Sequence, residues 1–195
     1  MPRLTSIQMV LWGLVVIALV GVGMFAFVLP RLDESVSDTL GHGDYELVTT
    51  DGQPFTEESL LGEPTAIFFG FTHCPEVCPT TLSDIDLWQQ ELAETGDQIR
   101  VFFVTVDPER DTAEVLGNYV SWVPGVSGVT GSEEQIAEAI RAFRIYAAKI
   151  PLDDGGYTMD HSAMVLLFDE NGRLVEPIAY QEPTDSAVET IRSVM

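Results

Sequence analysis

The chain has 195 residues, with 9 Lys plus Arg against 31 Asp plus Glu, a formal charge of −22 and two cysteines. Its length suits one core of roughly 150 residues plus an additional segment. A field this negative repels nucleic acid and anionic membrane surfaces, which excludes nucleic-acid binding and otherwise reads as a solvated acidic surface.

The additional segment lies at the N-terminus. No charged residue occurs from Leu4 to Pro30, and Val10 to Leu29 is almost wholly apolar, about the 20 residues that a helix needs to span a bilayer. A cleaved signal peptide has an apolar core of about 7–15 residues and small residues at its cleavage site. Here the run is longer, and Phe25, Phe27 and Leu29 stand where small residues are wanted. The expectation is therefore a short cytoplasmic stretch over 1–9, an uncleaved transmembrane signal anchor over 10–29, a flexible tether over 30–43 and a folded domain over 44–195. Arg3 and Arg31 flank the span on opposite sides, so charge alone leaves its orientation nearly balanced. A short leader before a large domain favours export, which places the domain in a bacterial periplasm, single-pass from the inner membrane. That compartment permits disulfides. His42, alone in the tether, reads as solvated.

The domain opens with a small hairpin, Tyr45 to Thr49 and Gln53 to Phe55, around the Asp51-Gly52 turn signal. After a short Glu57 to Leu61 segment, Ala66 to Phe71 is a continuous apolar run, as in a strand covered on both faces. Thr80 to Glu94 places Leu82, Ile85, Trp88 or Gln89, and Leu92 on one helical stripe, and Arg100 to Val106 is a second buried strand. Strand, helix, strand is a right-handed crossover in a partly parallel sheet. A helix from Ala113 to Trp122, a strand over Val126 to Thr130 and a helix to Phe143 follow, the last opened by a Ser132/Gln135 capping box. Tyr146 to Pro151 and the turn at 153–156 read as an irregular excursion. Ala163 to Phe168 and Arg173 to Tyr180 form a hairpin, and Asp185 to Met195 a closing helix. This order resembles a thioredoxin-like α/β fold with an N-terminal hairpin extension and an inserted strand and helix.

Both cysteines, Cys74 and Cys78, fall in the loop after the first apolar run. Three residues apart, their sulfurs can meet as one disulfide or as two ligands of one soft metal ion. Pro79 suits the first position of a helix, which would put Cys78 at or next to the N-cap, where the helix dipole favours a thiolate. In a thioredoxin-like topology the loop before the third core strand packs beside the cysteine loop. Thioredoxins carry a cis-proline there; here Asp160-His161-Ser162 stands instead, and His161 is expected to face the cysteines. Two thiolates and an imidazole suit Cu(I), and with an oxygen ligand would also suit Zn(II).

The stretches F-T-H-C-P-E-V-C-P-T-T-L at 71–82, V-D-P-E-R-D-T at 106–112 and D-H-S at 160–162 together resemble the Sco/SenC family of copper proteins, over about residues 44 to 195. The resemblance implies a thioredoxin-like domain that binds one copper ion, Cu(I) or Cu(II), through Cys74, Cys78 and His161. It implies a metallochaperone for the binuclear copper site of cytochrome c oxidase subunit II, acting as copper donor, as thiol-disulfide reductase of that subunit's cysteines, or as both, with a periplasmic copper donor and a thioredoxin-like reductant as further partners. A thiol-disulfide oxidoreductase using a redox-active Cys74 and Cys78 pair is the alternative, and a redox or copper sensor a third. Asp107 and Asp160 resemble the acidic neighbours of the family's site, and a carboxylate accepting from the imidazole would fix its tautomer. Arg110 is expected to pair with Asp111 or Glu109, or to order the loop. His73 is left out of the ligand set because adjacent residues rarely share one ion, and Met159 and Met164, which flank the histidine, read as core.

Overall fold

The computed structural model describes residues 6–27, 37–153 and 155–195. They form two compact units, Met1–Asp38 and Thr39–Met195. In the first, helix α1 runs over Ser6–Phe27 and leaves Leu11, Trp12, Leu14, Ile17 and Leu19 exposed. Taken over the described residues, no helix is long and apolar enough to cross a membrane, and residues 28–29 of the expected span lie outside them. Residues 30–36 of the expected tether lie outside them as well. The second unit starts at Thr39 rather than at 44, because Leu40 is buried in the core, the Gly41 N–H donates to the Ala142 carbonyl and the Tyr45 hydroxyl donates to the Gly41 carbonyl.

The strands of this unit are β1 (Leu47–Thr49), β2 (Pro54–Phe55), β3 (Thr65–Gly70), β4 (Arg100–Thr105), β5 (Val126–Thr130), β6 (Ala147–Pro151), β7 (Tyr157–His161), β8 (Val165–Phe168) and β9 (Leu174–Ile178). Its helices are α2 (Val77–Ala93), α3 (Ala113–Val120), α4 (Glu133–Ala142) and α5 (Thr184–Arg192), with a 3-10 turn at Glu57–Leu60. Seven strands form one sheet in the order β2-β1-β5-β4-β3-β8-β9. β3, β4 and β5 are parallel, β8 runs antiparallel beside β3, and β9 runs antiparallel to β8 at the edge. The central β4-β3-β8-β9 part is the thioredoxin-like core; β5 is the inserted strand, and the β1-β2 hairpin caps the far edge.

Every residue of β3 is buried, which is why its sequence is an unbroken apolar run without alternation. On α2, Leu82, Ile85, Trp88, Gln89 and Leu92 all face inward, so both candidates for the middle of the expected stripe belong to it. Two local readings change. The segment expected to be irregular is an antiparallel hairpin, β6 with β7, that forms a sheet of its own. It was obscured because β6 is half-buried to exposed throughout and shows no alternation to read. The capping box of α4 is also only half made. The Ser132 hydroxyl accepts from the Gln135 N–H, but the Gln135 side-chain Oε1 accepts from the Glu46 N–H, tying the helix to the N-terminal hairpin instead of to its own cap.

Candidate metal centre

Parallel β3 and β4 end side by side, and their carboxyl ends carry the cysteine loop and the Asp107–Asp111 turn, where sites gather in sheets of this kind. α2 begins at Val77 with Glu76 as its N-cap. Cys78 therefore sits inside the first turn rather than at the cap, and the helix N-terminus acts on the other cysteine: the Cys78 N–H donates to Cys74 Sγ at 3.2 Å. Cys74 is 9% exposed and Cys78 is fully buried. No disulfide joins them in this structure. The Cys78 thiol donating to Cys74 Sγ holds Cys74 down to about 4 against the upward push of burial, with His161 and the Cys78 backbone N–H adding to the effect. Cys78 is pushed up, by sharing its proton with Cys74 and by burial. The metal-free pair thus carries one thiolate, on the outer sulfur.

Gly70, the last residue of β3, makes room for the inner one. A Cβ at this position would lie 2.8 Å from Cys78 Sγ and 2.8 Å from the Phe103 ring, closer than real contacts allow. The cysteine loop is fastened by Asp111, which is fully buried. Its carboxylate accepts from the Thr72 N–H at 3.0 Å, the Thr72 hydroxyl at 2.5 Å and the Thr105 hydroxyl at 2.6 Å. One side chain thus joins the end of β4 to the residue two before Cys74. This role was not foreseen; the only sequence signal for it is an aspartate in a turn beside two threonines.

His161 closes the site from β7. Its Nε2 lies 3.5 Å from Cys78 Sγ, and the ligand atoms of Cys74, Cys78 and His161 all lie within 4.8 Å of one another. The Nδ1 sits 2.8 Å from the Ser162 carbonyl oxygen. A carbonyl can only accept, so Nδ1 carries a proton, and Nε2 is the ring nitrogen left to face the sulfurs. Metal bonds of about 2.0–2.3 Å in a trigonal set separate their ligand atoms by roughly 3.5–4 Å, which these side chains meet with small adjustments. Phe71 at 5.7 Å and Phe68 at 6.2 Å stand edge-on to the imidazole and keep its inner side apolar. Among the described residues no other group of three metal-binding side chains converges in this way.

Neither expected acidic neighbour accepts from the imidazole. Asp160 points to the exposed face of β7, because successive strand residues alternate sides. Asp107 is buried, pairs with Arg110 and accepts from the Tyr157 hydroxyl at 2.9 Å. Arg110 thus pairs with Asp107 and not with Asp111 or Glu109. His73 is exposed and bonds Thr72; Met159 packs against the core, whereas Met164 is exposed.

The SCO1/SenC family model matches residues 34–195. The chain belongs to that family. It is 39% identical to ScoI of Bradyrhizobium japonicum, whose structure has copper bound, with a TM-score of 0.72 over 79% of this chain and 99% of that one. BsSco, described as a member of the Sco family of cytochrome c oxidase assembly proteins and as having a disulfide switch, is 25% identical, with a TM-score of 0.61 over 82% of this chain and 96% of its own. The mitochondrial SCO2 homolog of Danio rerio is 34% identical over 171 residues, 86% of this chain. The match spans 61% of that relative's length. The thioredoxin-like Sco fold expected from the motifs is therefore established.

Proposed function

We propose that this Sco protein is a membrane-anchored metallochaperone that carries one copper ion on Cys74, Cys78 and His161 for assembly of cytochrome c oxidase, with the binuclear copper site of subunit II as its destination. The observation that carries the reading is the convergence of two sulfurs and the His161 imidazole within 4.8 Å. A set rich in sulfur and low in coordination number suits Cu(I) better than harder ions. The copper-bound Bradyrhizobium relative and the assembly family of BsSco support the metal and the role. For the anchor, the support is the sequence: no charged residue lies from Leu4 to Pro30, and Val10 to Leu29 is almost wholly apolar, about the 20 residues that a span needs. The domain then faces the periplasm, where a copper donor and a thiol reductant would meet it.

The low thiol of Cys74 favours a second reading, reduction of a partner's disulfide. Cys74 thiolate attacks one sulfur of that disulfide and releases the other as a thiolate. Cys78 then resolves the mixed disulfide, leaving Cys74 and Cys78 oxidised and the partner with two thiols.

The test is metal analysis with X-ray absorption on the reduced full-length chain, beside His161→Ala. One copper with two sulfurs and one nitrogen, the nitrogen lost in the variant and the affinity down at least 10-fold, is the expected outcome. Absence of tight copper with a readily cycled Cys74 to Cys78 disulfide would replace the first reading by the second.

A further inference from the structure

The hairpin that carries His161 shares no ladder with the main sheet, so hydrogen bonds of the sheet do not decide where the third ligand stands. At the end of β7 away from His161, Tyr157 is gripped on every side. The Arg110 guanidinium carbon lies 3.9 Å from its ring centre and Lys149 Nζ 3.8 Å. Its hydroxyl donates to Asp107 Oδ1 at 2.9 Å and lies 3.1 Å from Glu109 Oε2. Its own carbonyl accepts from Arg110 Nη1 at 3.1 Å. The two cations are themselves paired to the same carboxylates, Arg110 to Asp107 and Lys149 to Glu109, the latter at 2.7 Å. An aromatic ring between two cations, with its hydroxyl between their counterions, fixes position, tilt and rotation together.

Tyr157, Met159 and His161 share one face of β7, and Met159 packs against the core. About 13 Å of strand separates the first from the last, so a tilt of roughly 5° moves the imidazole by about 1 Å relative to Tyr157. That is a large fraction of the tolerance of a three-atom site.

We propose that Tyr157 is a positioning residue for the metal centre: clasped by Arg110 and Lys149, it locks the β6-β7 hairpin onto the Asp107–Asp111 turn and so sets the reach of His161 to the two sulfurs. The proposal rests on the copper reading of the site. It links the V-D-P-E-R-D-T stretch, which supplies no ligand, to the placement of the ligand 51 residues after Arg110, and it accounts for the hydrogen bonds of Asp107 without any contact to the imidazole.

The test uses the full-length chain and the variants Tyr157→Ala and Tyr157→Phe. In the metal-free wild type, the ring protons of His161 are displaced by the ring currents of Phe68 and Phe71. That displacement collapses in Tyr157→Ala and largely persists in Tyr157→Phe, which keeps the ring between the cations. With copper, Tyr157→Ala binds 10- to 100-fold more weakly in competition with a chromophoric Cu(I) chelator and loses nitrogen, not sulfur, from its absorption spectrum. Unchanged His161 shifts together with unchanged copper affinity in Tyr157→Ala would overturn the positioning role. A wild type that shows the displaced His161 signals but binds no copper would instead overturn the reading of the site, while the collapse in Tyr157→Ala would still support the clasp.

Discussion

The two halves of the metal centre are built by different means. The cysteine half belongs to the core: Cys78 is fully buried against Gly70 and Phe103, and a buried carboxylate ties the loop to the neighbouring strand. The histidine half is carried on a half-exposed hairpin outside the main sheet, oriented by one carbonyl and two aromatic edges. A pair of sulfurs held in the core with a separately mounted nitrogen can release one ligand without disturbing the other two, as the proposed delivery of the ion requires.

If the cysteine half is part of the core, damage there must appear as lost stability. The largest effect is expected for Asp111→Ala, which strands the Thr72 N–H and the Thr72 and Thr105 hydroxyls and should cost about 3 kcal/mol in chemical denaturation of the metal-free protein. A cost under about 1 kcal/mol would remove the distinction between the halves. Gly70→Ala comes next, at about 1–3 kcal/mol from overpacking against Cys78 and Phe103. Copper affinity should fall with it, because the displaced atom is a sulfur of the proposed ligand set; unchanged affinity would mean that the backbone yields more readily than this packing suggests.

The asymmetry between the sulfurs sharpens the comparison through pH. Cys74, held down at about 4, is already a thiolate at pH 8 and stays so until pH falls toward 4. In the reduced, metal-free protein, alkylation by iodoacetamide should be confined to Cys74 and proceed at a nearly constant rate from pH 8 to about 5. A rate that falls tenfold for each pH unit below 8, or equal labelling of Cys78, would contradict the arrangement; peptide mass spectrometry reads both. The smallest effect belongs to Asp160→Asn. Its side chain is exposed and the imidazole is oriented by Ser162, so copper affinity should change less than twofold in the chelator competition. A tenfold loss would show the carboxylate acting on the histidine.

The same division explains what could be read from the residues alone. β3 and β4 are unbroken apolar runs and α2 carries a clean stripe, so the scaffold of the sulfurs was legible in detail. His161 was placed correctly because topology brings the loop before the third core strand beside the cysteines. What escaped were contacts between distant polar groups. Asp111 meets Thr72 across 39 residues and Tyr157 meets Asp107 across 50, and no local pattern marks either partner. The hairpin itself was missed because Lys149, Ile150 and Pro151 are all exposed, which erases the alternation by which a strand is known. Leu40, read as part of a polar tether, shows that one apolar residue suffices to draw a linker into a core.

Cys78 and His161 are 83 residues apart in the chain. A nascent or unfolded polypeptide therefore offers a metal the two thiols without His161 beside them, and the three-point set exists only once residue 161 has been made and its hairpin docked. On the proposed ligand set, tight loading is a certificate of completion: copper held by this site adds RT ln(1 + [L]/Kd) of stability to the finished molecule, whereas a truncated or misfolded copy, holding its ion by two sulfurs alone, surrenders it to any better chelator it meets.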